Sequence, residues 1–240
     1  IGERKRLEEA KLQAERLATI GAMSAKLAHE IRNPLSSIIL NLDLIHDELR
    51  TLAQGREAAT TEARTLLQAV ESEVRRVQRV TEDYLQFARL PKARREPVVL
   101  NEVLAQGLSF LQSLFDATGV ELRTDLAPAL PPILADENQL WQAILNLIRN
   151  AIEAMPGGGV LTIRTARAAD GRIELTIADT GKGMTAAEQQ KLFHPFFSTK
   201  VGGTGLGLPL TQQIITEHDG AIACESTPGK GTTFIIHLES

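Results

Sequence analysis

The sequence predicts an α+β protein in two parts. An N-terminal helical hairpin forms a dimeric four-helix bundle with a second copy, and a two-layer α/β sandwich follows. Three observations carry this. Apolar residues recur in steps of three and four through the first 90 residues, the rule for helices in a left-handed bundle. After Pro97 that rhythm gives way to short alternating stretches between helices, as in a sheet covered by helices. Aromatics are 4% of the chain against 43% hydrophobic residues, so the core is aliphatic.

Residues 1–50 read as one helix. Its seam runs through Leu7, Ala14, Gly21, Ser24 and Ala28, thin near Gly21 and Ser24, and is strong from Ile31 through Leu35, Ile38, Leu42 and Ile45. Residues 51–60, with Gly55, read as a turn. A second helix carries Ala63, Leu66, Val70, Val74, Val77, Tyr84 and Ala88 on one stripe and stops before Pro91, since the residue before proline is driven from the helical region. A lone hairpin buries two such stripes poorly, and two hairpins bury them well. Residues 1–90 are therefore expected to form a homodimer. Residues 91–97 read as a linker and 98–240 as the second domain.

In that domain Val98–Leu100 reads as an edge strand and 101–118 as a helix capped by Asn101. Val120–Asp125 alternates like a strand, Asp136–Met155 reads as a helix, and 160–168 and 172–179 read as a strand pair. Residues 184–204 form a lid-like segment and 206–218 a helix. Ala221–Glu225 and Thr232–Leu238 close a hairpin around Pro228-Gly229.

Bulk properties exclude some classes. A net charge of −4 argues against nucleic acid as a partner. The single cysteine, Cys224, rules out an intrachain disulfide and reads as a small buried hydrophobe, in keeping with a cytoplasmic location. No apolar run approaches the ~20 residues that span a bilayer, and no secretory signal is visible. The chain opens inside a helix, and it is expected to be cut from a longer protein whose sensor or membrane segment lies upstream.

His29 follows seam residue Ala28 and so faces outward. A neutral imidazole there can attack a γ-phosphate. Glu30 beside it can orient the ring or take its proton. Asn33 lies one turn on, on the same face, and Pro34 interrupts the helical bonding next to it. His46, on the same helix, reads as an ordinary surface residue. The run His29-Glu-Ile-Arg-Asn33-Pro-Leu resembles the H-box of two-component sensor histidine kinases of the nitrogen-regulation and zinc-response type. The resemblance implies that His29 accepts phosphate, that Glu30 assists as base, and that Asn33 positions water when phosphate is removed from the partner.

Four further segments point to nucleotide, and no P-loop is present. On the helix 139–155, Trp141, Ile144, Leu145, Ile148, Ile152 and Met155 mark the buried stripe. Gln142, Asn146, Arg149, Asn150 and Glu153 mark the other face. Asparagine is a poor residue inside a helix, and amide oxygens suit Mg²⁺. Asp179-Thr-Gly181-Lys-Gly183 ends a strand with a carboxylate in phase with Ile173, Leu175 and Ile177, aimed into the apolar layer. Burying it unpaired is costly, and an adenine amino group is a fitting partner. In Phe193-His-Pro-Phe196-Phe197-Ser-Thr-Lys200 the phenylalanines plug a loop, His194 reads as a surface residue, and Lys200 is a flexible cation able to reach phosphate. Gly203-Thr204-Gly205-Leu206-Gly207-Leu208 opens a helix whose free N–H groups favour phosphate.

In order, these segments resemble the N-box, G1 box, F-box with lid, and G2 box of the Bergerat, or GHKL, ATP-binding fold shared by histidine kinases, gyrases, MutL proteins and Hsp90 chaperones. The resemblance implies ATP and Mg²⁺ as cofactors, with Asn150 as metal ligand and Asn146 on the phosphate side. It implies an ATP-dependent protein-histidine kinase that passes phosphate to an aspartate of a response regulator and also dephosphorylates that regulator. Residues 1–90 would then carry the phosphoacceptor and 98–240 the catalytic site. Two other readings are a GHKL-type ATPase acting as a conformational clamp and a nucleotide-binding dimeric scaffold. For the clamp, the glutamate expected one turn before the metal-binding asparagine is missing, because Asn146 stands there.

Overall fold

The computed structural model describes residues 31–45, 47, 58–88, 90–200 and 203–240. The chain divides between Leu90 and Pro91 into two compact units. In the first, residues 31–45 form helix α1, which continues through Pro34, and Ala58–Ala88 form α2. On α1, Leu35, Ile39 and Leu42 are exposed while Ile45 is buried, as are Val80 and Phe87 on α2. Leu35, Ile39 and Leu42 are spaced by four and three residues, so they make one apolar stripe in water. The thin part of the seam and His46 lie outside the described residues.

The second unit runs β1 (Glu96–Val98), α3 (Leu100–Phe110), α4 (Gln112–Thr118), β2 (Val120–Leu126), β3 (Ile133–Ala135), α5 (Glu137–Ala154), β4 (Gly159–Arg167) and β5 (Ile173–Asp179). It continues with α6 (Ala186–Gln189), α7 (Gly207–Glu217), β6 (Ala221–Thr227) and β7 (Gly231–Leu238). Five strands form a mixed sheet in the order β2-β4-β5-β7-β6. β2 is parallel to β4, and the other neighbours are antiparallel. Period-two alternation sends Leu161 and Ile163 of β4, Ile173, Leu175 and Ile177 of β5, and Phe234 and Ile236 of β7 to one buried face. Leu140, Ile144, Leu147 and Ile148 of α5 and Ile214 and Ile215 of α7 are buried as well, and these two helices pack together over the sheet.

Local chemistry sets the helix ends. Asp136 caps α5 by accepting the Gln139 N–H at 3.1 Å. Thr185 and Glu188 form a reciprocal capping box on α6.

The structure differs from the sequence reading at several points. The edge strand starts at Glu96, inside the stretch read as linker, and pairs antiparallel with β3. No reading of the sequence supplied β3, since Pro131-Pro132 looks like a breaker just before it. The helix read over 101–118 is two helices that meet at Leu111, whose φ of −93° and ψ of −2° tighten the turn. Asn101 does not cap α3, because Val99 holds that place without a side-chain bond. Instead Asn101 donates to the Ala127 carbonyl at 2.8 Å and accepts from Thr165 at 3.0 Å, tying α3 to the ends of β2 and β4.

The entry to this unit is fastened down. Gln139 Nε2 donates to the Pro91 carbonyl at 2.8 Å, and the Arg94 N–H donates to Asp136 Oδ2 at 3.0 Å. The Arg95 guanidinium pairs with Asp219 and donates to the Glu217 carbonyl. His218 Nε2 accepts the Asp136 N–H at 2.9 Å, so its other nitrogen, 2.7 Å from the Ile214 carbonyl, carries the proton.

The buried stripe of α5 gives a direct check. Leu147 is fully buried, whereas Leu145, which the sequence pattern singled out, is half-buried. Leu147→Ala should cost about 2–5 kcal/mol and Leu145→Ala clearly less, compared by thermal or denaturant melts.

Candidate functional site

The inner face of the sheet carries one acidic side chain at its end. Asp179 follows Ile173, Leu175 and Ile177 in phase and is 8% exposed. Its Oδ1 accepts the Gly181 N–H at 2.8 Å and the Thr232 N–H at 3.2 Å. Burial pushes its pKa up, the two amides and the nearby Lys200 charge draw it back, and the net direction is upward.

The turn after Asp179 exists because side chains are absent from it. Gly183 has φ +64° and Gly231 has φ +101°, left-handed values that favour glycine. A Cβ on Gly183 would overlap the Thr227 carbonyl, and one on Gly231 the Asp179 carbonyl. The turn also touches the last turn of α5, where the Lys182 N–H donates to the Ala154 carbonyl at 3.2 Å. A Cβ on Gly181 would meet that same carbonyl at 2.7 Å.

Asn146, Asn150 and Glu153 lie at i, i+4 and i+7 on one face of α5. Asn146 Nδ2 donates to the Thr211 hydroxyl of α7 at 2.7 Å. Gly207 lies so close that a Cβ there would stand 2.5 Å from Asn146 Oδ1. The start of α7 is thereby fixed against α5. Lys200, from the lid, donates to Asn150 Oδ1 at 2.7 Å and pairs with Glu153 Oε2 at 2.5 Å. The Lys200 ammonium thus lies between an amide oxygen and a carboxylate.

The lid is pinned by Phe196, buried and with φ +62°, whose N–H donates to the Gly205 carbonyl at 2.8 Å. Leu206 is buried too, and its N–H donates to the Thr204 hydroxyl at 3.4 Å. His194 is exposed. Cys224 is half-buried, and burial together with the Asp179 charge pushes its thiol up to about 12, which makes it a poor nucleophile at neutral pH.

The structure thus gathers Asp179, Gly181 and Gly183 at the end of α5 and joins Asn146, Asn150, Lys200, Thr204, Gly205, Leu206 and Gly207 beside it. Asn33 is exposed on α1, and His29 and Glu30 lie outside the described residues. Sequence reasoning passed over Thr211, which anchors Asn146, and Thr232, which faces Asp179 across the β5–β7 ladder. The strand phase of Thr232 is the signal that could have found it. Among the described residues no group of three or more His, Cys, Asp and Glu could hold a metal ion, and no helix is long and apolar enough to cross a membrane.

Comparison with known proteins matches two family models. Residues 19–92 match the His Kinase A (phospho-acceptor) domain. Residues 135–240 match the histidine kinase-, DNA gyrase B- and HSP90-like ATPase. The sensor histidine kinase ZraS of Klebsiella oxytoca is 40% identical over 235 residues, covering 98% of this chain and 49% of that one. The signal transduction histidine-protein kinase AtoS of Escherichia coli is 34% identical, with 98% and 37% covered. The chain therefore spans about half the length, or less, of these relatives. Full-length ShkA, solved in complex with AMPPNP, superposes with a TM-score of 0.64 at 27% identity over 89% of this chain and 44% of that one. The histidine kinase ThkA, solved with the response regulator protein TrrA, shares the fold with a TM-score of 0.76 at 23% identity, with 99% and 67% covered.

The upward pKa of Asp179 has a measurable consequence. A carboxyl whose pKa is higher folded than unfolded costs stability as pH rises through the folded value, and costs nothing below the unfolded one. Asp179→Asn keeps an oxygen for both amides. It should raise the melting temperature of ligand-free protein at neutral pH, and the gain should vanish as pH falls to about 4, as read from melts across that range.

Proposed function

The chain belongs to the sensor histidine kinases of two-component systems, and on that premise we propose that it is their ATP-dependent phosphotransfer core. ATP binds the second unit, its γ-phosphoryl group moves to His29, and the phosphate then passes to an aspartate of a separate response regulator. The observation that carries this reading is the pairing, around the C-terminal half of α5, of two unlike receptors. Asp179 is a buried hydrogen-bond acceptor suited to a base amino group, and Asn150 is an amide oxygen already facing a cation.

Mg²⁺ fits the second receptor. Asn150 Oδ1 and Glu153 Oε2 share one cation, the Lys200 ammonium, and hard oxygens of this kind suit Mg²⁺ together with phosphate and water. Asn150 would hold the metal, which when bound draws charge from the phosphate oxygens. The N–H groups at the start of α7 favour the same negative charge. Lys200, released from Asn150, is long enough to add its charge to the phosphates.

The transfer needs a nucleophile with a free lone pair. His29 supplies a ring nitrogen, the new N–P bond forms as the bond to the ADP oxygen breaks, and Glu30 takes the ring proton. Asn33 serves the reverse task, holding a water for attack on the phosphorylated regulator. The exposed stripe Leu35, Ile39 and Leu42 supports a homodimer, because a second hairpin would cover it. We assign this core to the cytoplasm.

The clamp-like ATPase reading lacks a base. Asn146 is an amide that cannot take a proton from water at neutral pH, and its Nδ2 is committed to Thr211.

With γ-labelled ATP and Mg²⁺, the protein should acquire acid-labile, base-stable label. His29→Ala should abolish it, and chelation of the metal should reduce it to background. Free phosphate released without labelled protein would favour the clamp instead. Asn33→Ala should leave labelling near wild type and slow dephosphorylation of the regulator by about tenfold or more; equal loss of both activities would remove Asn33 from that role.

A further inference from the structure

The row of residues across the end of the sheet contains a hydrogen-bond relay that the proposed chemistry does not use. Leu161, Asp179, Thr232 and Ser226 are successive cross-strand partners on β4, β5, β7 and β6. Directly opposed residues share a face, so the side chains of Asp179, Thr232 and Ser226 stand in line. Thr232 is 6% exposed.

Ser226 Oγ has three partners. The Met184 N–H donates to it at 2.8 Å. The Gly231 carbonyl lies at 2.9 Å and can only accept. Thr232 Oγ1 also lies at 2.9 Å, with either hydroxyl able to donate. A serine hydroxyl has one proton and two lone pairs. If that proton goes to Gly231, Thr232 donates to Ser226 and all three bonds form. If it goes to Thr232, the Gly231 bond is lost. Three bonds outweigh two in a half-buried site.

The better-bonded arrangement spends the Thr232 proton on Ser226, so Thr232 turns only lone pairs toward the space beside Asp179. Asp179, when ionised, also offers only lone pairs. Two acceptors side by side welcome an amino group and repel a carbonyl oxygen. We propose that Ser226 is a positioning residue for base selection. By holding the Thr232 hydroxyl as an acceptor, it makes the site accept a 6-amino purine and reject a 6-keto purine. The inference rests on the nucleotide reading above and adds to it a residue that need not touch the ligand.

The test compares ATP with inosine triphosphate, which carries a carbonyl oxygen where ATP carries the amino group. Equilibrium binding of both is measured on the whole chain, and the affinity ratio is taken within each variant, so that loss of folded protein cancels. Ser226→Ala frees the Thr232 hydroxyl to rotate and donate, and the ATP preference should fall by roughly fivefold or more, mostly through a gain for inosine triphosphate. Ser226→Thr, which keeps the hydroxyl, should restore it. Thr232→Val should weaken ATP and leave inosine triphosphate within about twofold, and adding Ser226→Ala to it should change nothing further. An unchanged ratio in Ser226→Ala overturns the proposal. If that variant does not fold, equal effects of Thr232→Val on the two nucleotides, or none on either, overturn it. Failure of the unmodified chain to bind ATP removes the nucleotide reading itself, a result distinct from either.

Discussion

A carboxylate at the end of an apolar strand governs the second unit. An unpaired ionised group there would cost several kcal/mol or would take up a proton. The chain meets that constraint with backbone amides. Oδ1 of Asp179 takes two N–H bonds, one from its own turn and one from the neighbouring strand. To bring those amides in, the turn and the β6–β7 hairpin must approach closer than side chains allow. The bare positions at Gly181, Gly183 and Gly231 follow from it. The same closeness presses the turn onto the last residues of α5, which carry Asn150 and Glu153. One buried charge thus sets the distance between the two halves of the site.

Much of this was legible beforehand, for reasons that differ by element. β5 and β7 announce themselves because one face is buried and the other wet, so alternation survives in the residue pattern. α5 is legible for its length and its capped start, and Ile144, Ile148, Ile152 and Met155 of its stripe are buried as read. Trp141 and Leu145 are half-buried while Ala143 and Leu147 are buried. A large side chain in the pattern outweighed a small one, and only packing shows the difference. Trp141 itself lies against Gly107, where even a methyl group would clash with the ring.

Other features could not be read because they depend on distant partners. β3 is three residues long after two prolines, and only its pairing with β1 makes it a strand. Asn101 looks like a cap from its neighbours, yet it is drawn to Ala127 and Thr165, 26 and 64 residues away. For Lys200 the residue type suggests a phosphate, and it says nothing of Asn150 and Glu153, whose oxygens the ammonium meets 50 and 47 residues away. The segments that motif order singled out do lie side by side in the fold. Motif order carried no information on Thr211, which accepts from Asn146 65 residues away, or on Ser226, whose hydroxyl meets Thr232 across the β6–β7 ladder.

The fastened stretch from Pro91 to Arg95 bears on how force enters the second unit. Anchors at Pro91, Arg94 and Arg95 leave this tether almost no slack, and a tether without slack transmits displacement instead of absorbing it. Its anchor points are the first turn of α5 and the far end of α7. The opposite ends of those two helices hold Asn150 and Gly207. A pull or twist at Leu90 is therefore applied to the butts of two rods whose tips carry Asn150 and Gly207, and five residues of connecting chain act as the coupling of a lever.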